Sequence, residues 1–297
     1  MKGLSDLHNH MSGATPSRLM YRLAMENGIK LPHSVDCYKS FLDLIDTRES
    51  GSLDNYLKVL HSYTEKIQSS VIAVEECTYA AYEESYLQGV SNLELRFNPF
   101  KRNKIGGLTL DVDAIIRAAI RGMDRAKHIF NMEGGLIICM GRDMDYDSNK
   151  KLKEKAEKYE GIGIIGIDIA GPQKMKLDYK MIDLLASCEF DVITCHMAEI
   201  RGGEEEAEEI VKRCKNINRI GHGINGTEKF YDMIMERDIL LEVCPSSNVS
   251  TKSVRTYEEL TDKLDMFDST GIKYSICTDG NILLNTSVEQ ESLRVDR

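Results

Sequence analysis

A chain of 297 residues that is 42% hydrophobic and 29% charged carries enough apolar material for one large core, which excludes a disordered or fibrous class. Its formal charge of −10 leaves no basic surplus to neutralise phosphates, which argues against nucleic-acid and anionic-membrane partners. The eight cysteines include no Cys-x-x-Cys pair, no apolar run reaches a membrane-spanning length and no basic-then-apolar leader opens the chain, so the sequence reads as cytoplasmic with reduced thiols.

Short runs rich in Ile, Val and Leu occur at residues 3–10, 90–97, 135–140, 162–170, 191–196, 219–222, 239–243 and 273–278. Amphipathic segments at 56–88, 112–131, 178–187, 203–215, 226–237 and 256–269 lie between them. Strands alternating with helices predict a parallel sheet with right-handed crossovers. Eight such units predict an α/β fold closed as a TIM (β/α)8 barrel rather than an open sheet. Residues 1–297 read as one domain of this kind. The stretch 15–88 is too long for a single connection and is expected to insert extra helices after strand 1, some over the barrel mouth. The acidic run 204–209 reads as a solvated helix face.

Barrels of this type carry their chemistry where strands end at the C-terminal face. Strand one ends in Asp6-Leu7-His8-Asn9-His10, and in an extended segment His8 and His10 share one face. Strand four ends in Asp168-Ile169-Ala170-Gly171, strand five in Thr194-Cys195-His196-Met197-Ala198-Glu199, strand six in Gly221-His222-Gly223 and strand eight in Thr278-Asp279-Gly280. Any one of these histidines is equally well read as rim polarity; four of the chain's seven gathered at strand ends are not. The imidazoles of His8, His10 and His196 with the carboxylate of Asp279 suit one Zn²⁺ and leave an open position for water. Coordination would lower the pKa of that water from about 15.7 to near 7. Glu199 is placed as a proton shuttle, His222 as the group that orients the attacking oxygen, and Asp279 as both ligand and proton acceptor. Arg96 and Arg142, at the ends of strands two and three, read as structural ion pairs rather than phosphate contacts, and His33, His61 and His128 as surface residues.

The motifs His8-Asn9-His10 with Gly13 close behind, Ile169-Ala170-Gly171, His196-Met197-Ala198-Glu199, Gly221-His222-Gly223, Val243-Cys244-Pro245-Ser246-Ser247-Asn248 and Thr278-Asp279 follow in that order. In this set the chain resembles the adenosine deaminase family of metal-dependent amidohydrolases, from residue 4 to about residue 291. The resemblance implies Zn²⁺ on His8, His10, His196 and Asp279, with His10, Ser12, Gly171 and Gly280 on the substrate side. It further implies that Glu199 protonates purine N1, that His222 supports attack at C6 with loss of ammonia, and that the Gly171 N–H donates to N3. The implied partner is a small purine; a homo-oligomer stays open.

Two positions depart from the family pattern. Where relatives carry a second Asp that reaches purine N7, this chain has Gly280, and an unpaired buried N7 would weaken binding by about 1–3 kcal/mol unless Asn281 or a water serves it. Where relatives carry an Asp against the ribose 5′-hydroxyl, this chain has Ser12, which removes repulsion against a 5′-phosphate. The expectation is deamination of a 6-aminopurine nucleoside or related compound, the alternatives being a 5′-phosphorylated or N6-modified nucleotide as substrate, or a weakly active purine-binding barrel. The short segment after strand eight is expected to leave apolar surface on strands one and eight for a partner subunit or the inserted helices to cover.

Overall fold

Eight parallel strands succeed one another through the computed structural model, which describes residues 3–297. They are β1 (Leu4–His10), β2 (Val90–Phe97), β3 (Glu133–Gly141), β4 (Ile164–Ala170), β5 in two pieces (Val192–Ile193 and His196–Met197), β6 (Arg219–His222), β7 (Leu240–Val243) and β8 (Tyr274–Ile276). The first piece of β5 pairs with β4 and the second with β6, so one strand hands the sheet on from its first half to its second. Closure comes just beyond β8. Asn9 bridges Asp279, the Asp279 N–H donates to the His8 carbonyl at 2.8 Å and the His10 N–H donates to the Asp279 carbonyl at 2.8 Å. Asp6 strengthens this seam by accepting from Thr278 Oγ1 at 2.5 Å and Asn9 Nδ2 at 3.1 Å. The expected barrel is the observed fold.

Local sequence explains the elements. In β3 the run Leu136-Ile137-Ile138 is wholly buried, as a strand covered on both faces requires. In the helix Val112–Phe130, Ile115, Ile116, Ala119, Met123 and Ala126 face inwards; the Asp111 side chain caps its start and Asn131, in the left-handed region, ends it. The helix Tyr146–Lys158 escaped the sequence reading because it buries only Asn149, Leu152 and Ala156 beneath a face of lysines and glutamates.

The insertion after β1 holds the helices Ser17–Glu26, Tyr38–Ile45, Leu53–Val59 and Val71–Leu87. The single segment expected at 56–88 is in fact broken: a π-helical turn, Leu60–Thr64, follows Leu53–Val59, and Ser70 starts a new helix by accepting from the Ala73 N–H. The seam of β1 and β8 is not bare either. A helix at Val288–Arg294 packs against both strands and buries Val288, while the buried Glu291 accepts from the Ser246 N–H at 2.8 Å. That corrects the expectation of uncovered apolar surface. Among the described residues no helix is long and apolar enough to cross a membrane.

Candidate metal centre and catalytic cleft

Four imidazoles and one carboxylate converge at the C-terminal face. Ring centroids of His8 lie 5.3 Å from His10, 4.6 Å from His196 and 5.1 Å from His222. Asp279 Oδ1 stands 3.6 Å from His8 Nε2 and 3.5 Å from His10 Nε2, and His10 Nε2 lies 3.1 Å from His196 Nε2. Ligand atoms of His8, His196, His222 and Asp279 fall within 4.8 Å of one another. His8 Nε2 is buried without a hydrogen-bond partner. Lone pairs crowded this closely around a carboxylate fit a divalent cation, which satisfies them all at once.

The ring tautomers follow from what lies behind each histidine. His8 Nδ1 donates to Glu242 at 2.8 Å and His196 Nδ1 donates to Asp168 at 3.1 Å, which leaves each Nε2 lone pair aimed at the centre. Arg96 ties these two carboxylates together, at 3.1 Å to Asp168 and 2.8 Å to Glu242. His222 differs. Asn248 Nδ2 donates to its Nδ1 at 3.0 Å, which puts the ring proton on Nε2, facing the centre. Burial, the largest cause, holds His10, His196 and His222 below the ordinary histidine range, so these rings are neutral near pH 7.

Three non-glycine residues here adopt left-handed backbone, Ala198 (φ 48), His222 (φ 66) and Asp279 (φ 62). Each costs on the order of 1 kcal/mol, and their gathering at three strand ends marks a site whose geometry outweighs local preference. Asp279 Oδ2 accepts from Ser247 Oγ at 2.5 Å, leaving Oδ1 to the cluster. Glu199 is 1% exposed; Gln173 donates to its Oε2 at 2.8 Å, and Oε1 has no partner. Burial first, then the Asp279 carboxylate, pushes the Glu199 carboxyl up to about 8. Its Oε2, the oxygen held by Gln173, lies 3.7 Å from His222 Nε2.

The cluster opens into a cleft that encloses about 650 Å³ with its solvent-open mouth included. His10, Ser12, Gly171 and Glu199 line it. Gly280 does not; it packs behind the wall, where an added Cβ would meet Tyr56 Oη at 2.9 Å and Gly13 Cα at 3.1 Å. A Cβ on Gly13 would in turn lie 2.6 Å from Gly280 Cα. Gly13→Ala is therefore expected to cost about 1–3 kcal/mol through backbone displacement, read as a lowered denaturation midpoint at unchanged slope.

Arg96 and Arg142 are structural, as expected: Arg142 pairs with Glu206 at 2.9 Å and donates to the His196 carbonyl at 3.0 Å. His33 and His128 are exposed as expected, and His61 is a surface residue with a third of its side chain exposed. It lines the cleft, 2.7 Å from Glu65 and 3.4 Å from Lys101. The outer wall, Leu53, Tyr56, Leu57, Leu60 and His61, went unread in the sequence. Its signal was the helical spacing of those five positions, which looks the same whether a helix faces a core or a cavity.

A family model described as adenosine deaminase matches residues 4–296. An adenosine deaminase of Vibrio atlanticus is 30% identical over 294 residues, covering 98% of this chain and 86% of the relative. Among solved structures, an adenine deaminase from Arthrobacter aurescens superposes with a TM-score of 0.83 at 20% identity, covering 99% of this chain and 88% of the other. An amidohydrolase from Burkholderia ambifaria with bound Zn superposes at 0.79 and 17% identity, over 97% of this chain and 78% of the other.

Proposed function

The chain belongs to the adenosine deaminase family, and from that premise we propose that it is a zinc aminohydrolase that removes the 6-amino group of an adenosine-like substrate as ammonia. The observation that carries this reading is the protonated, half-unpartnered Glu199 facing the same cleft as the imidazole–carboxylate cluster.

His8, His10, His196 and Asp279 would hold the zinc. A Zn²⁺ so bound supplies Lewis acidity that brings the pKa of water from about 15.7 to near 7. His222 Nε2–H donates to the attacking oxygen and supports the negative charge that grows on it. Asp279 accepts the proton that water gives up, its Oδ2 held meanwhile by Ser247. Glu199 delivers its proton to N1, so that C6 takes up oxygen while the ring nitrogen is neutralised. A second proton transfer to the amino nitrogen lets ammonia leave, and water plus amine end as a ring carbonyl plus ammonia. Gly171, at the cleft wall with φ 114, offers its N–H to N3.

The test is ultraviolet absorbance of the zinc-loaded protein with adenosine, deoxyadenosine, adenine, AMP and N6-methyl-AMP. Adenosine and deoxyadenosine are expected to turn over. A chelator is expected to abolish turnover, and one equivalent of Zn²⁺ per chain to restore it. Loaded protein that leaves every 6-aminopurine unchanged overturns the reading. AMP and N6-methyl-AMP belong in the panel because Ser12 sets a hydroxyl, not a carboxylate, in the cleft wall, and preference for either would overturn the nucleoside assignment.

A further inference from the structure

We propose that the Tyr56 hydroxyl holds the N7 atom of the substrate's purine ring, serving the cleft wall that Gly280 leaves without a side chain. This rests on the 6-aminopurine reading above.

Tyr56 sits on the inserted helix Leu53–Val59 in the wall of the cleft and is 3% exposed, yet its buried hydroxyl has no hydrogen-bond partner. A buried phenol left unpaired is costly, and native interiors keep one only where something else satisfies it. The hydroxyl stands 2.9 Å from the point where a Gly280 Cβ would be, so this oxygen and a side chain at 280 exclude one another. The wall is served by a residue from the insertion instead of one from the barrel.

Purine geometry selects the atom. N1 and N7 flank C6 on opposite sides, so a ring whose N1 meets Glu199 beyond β5 turns N7 away from it. The wall beyond β8, with Asp279 and Tyr56 in it and Gly280 packed behind the Tyr56 hydroxyl, is the one that offers a donor there. Asn281 is not free for that contact: it accepts from Asn9 Nδ2 at 3.1 Å and donates to Gln88 at 3.2 Å. Ser247 is spent on Asp279. A phenol carries its proton at neutral pH, and a donor is what the unprotonated N7 needs.

The experiment compares adenosine with 7-deazaadenosine, in which N7 is a C–H, on the zinc-loaded wild type and on Tyr56→Phe. Deleting a hydroxyl with no protein partner leaves the fold intact, which the thermal midpoint checks. The wild type is expected to favour adenosine in kcat/KM by about tenfold or more, and Tyr56→Phe to lose that preference by losing adenosine alone. The same ratio is read as equilibrium affinity in a Glu199→Gln background, where binding proceeds without turnover. A preference unchanged in Tyr56→Phe, equal losses on both ligands, or no binding of either overturns the assignment of Tyr56. Binding selectivity that collapses in Tyr56→Phe while the wild type deaminates nothing supports Tyr56 and overturns the reaction instead.

Discussion

Glu199→Gln is expected to abolish turnover, by about a thousandfold or more, while leaving the metal content of the loaded protein unchanged. The carboxamide keeps the volume and can still meet Gln173, but it has no acidic proton to give N1. General acid–base groups are worth roughly 10²–10⁴ in rate, and this one has no substitute near it. The pH profile carries the same signature. On the proposed role Glu199 acts in its protonated form, so with its carboxyl raised to about 8 activity is expected to fall as pH rises through that value. A dication bound nearby favours the ionised form and moves this limb lower, never higher. Steady-state rates against pH, with metal analysis of the variant, make the check. Turnover by Glu199→Gln within tenfold of wild type, or activity rising through pH 9, would remove Glu199 from its role.

Arg96→Met is the second large effect. The Arg96 guanidinium is wholly buried and holds Asp168, Glu242 and the Leu7 carbonyl at 3.1, 2.8 and 2.7 Å. Those two carboxylates orient His196 and His8, so one cation pins two rings of the cluster without touching them. Removing it is expected to leave Asp168 buried without its cation and Glu242 with only Arg219, 3.7 Å away, at a cost of about 3–5 kcal/mol. With zinc as the proposed metal, affinity for it is expected to fall as well, by about 10–100-fold, the usual effect of loosening what stands behind a ligating histidine. The penalty depends on pH in a defined sense. Burial raises the Glu242 carboxyl, but Arg96 and His8 outweigh it and depress the group to about 2, against 4.5 ordinarily. Stability from a depressed carboxylate is present above 4.5 and lost as pH falls towards 2, so the difference between wild type and variant shrinks across that window. Denaturant melts at several pH values and a zinc titration test both halves. A variant as stable as wild type at neutral pH would show that Arg96 is not the keystone of the centre.

The sequence by itself determined the barrel and most of the centre, because both are written locally. Apolar runs of β length fix eight strands, and the C-terminal end of each names the residues the closed sheet turns inwards: His8, His10, His196, His222, Glu199 and Asp279. Only the tertiary structure decided how those groups divide the work. Asn248, 26 residues from His222, sets its tautomer and makes it a donor; Gln173, 26 residues from Glu199, steers that acid. Arg96 reaches its two carboxylates across 72 and 146 residues. Tyr56 sits on an amphipathic stripe that reads as ordinary core until folding sets its hydroxyl against Gly280. Hydrogen bonds and charge compensation depend on distance in space, which no spacing along the chain encodes, whereas strand periodicity and strand ends belong to the chain itself.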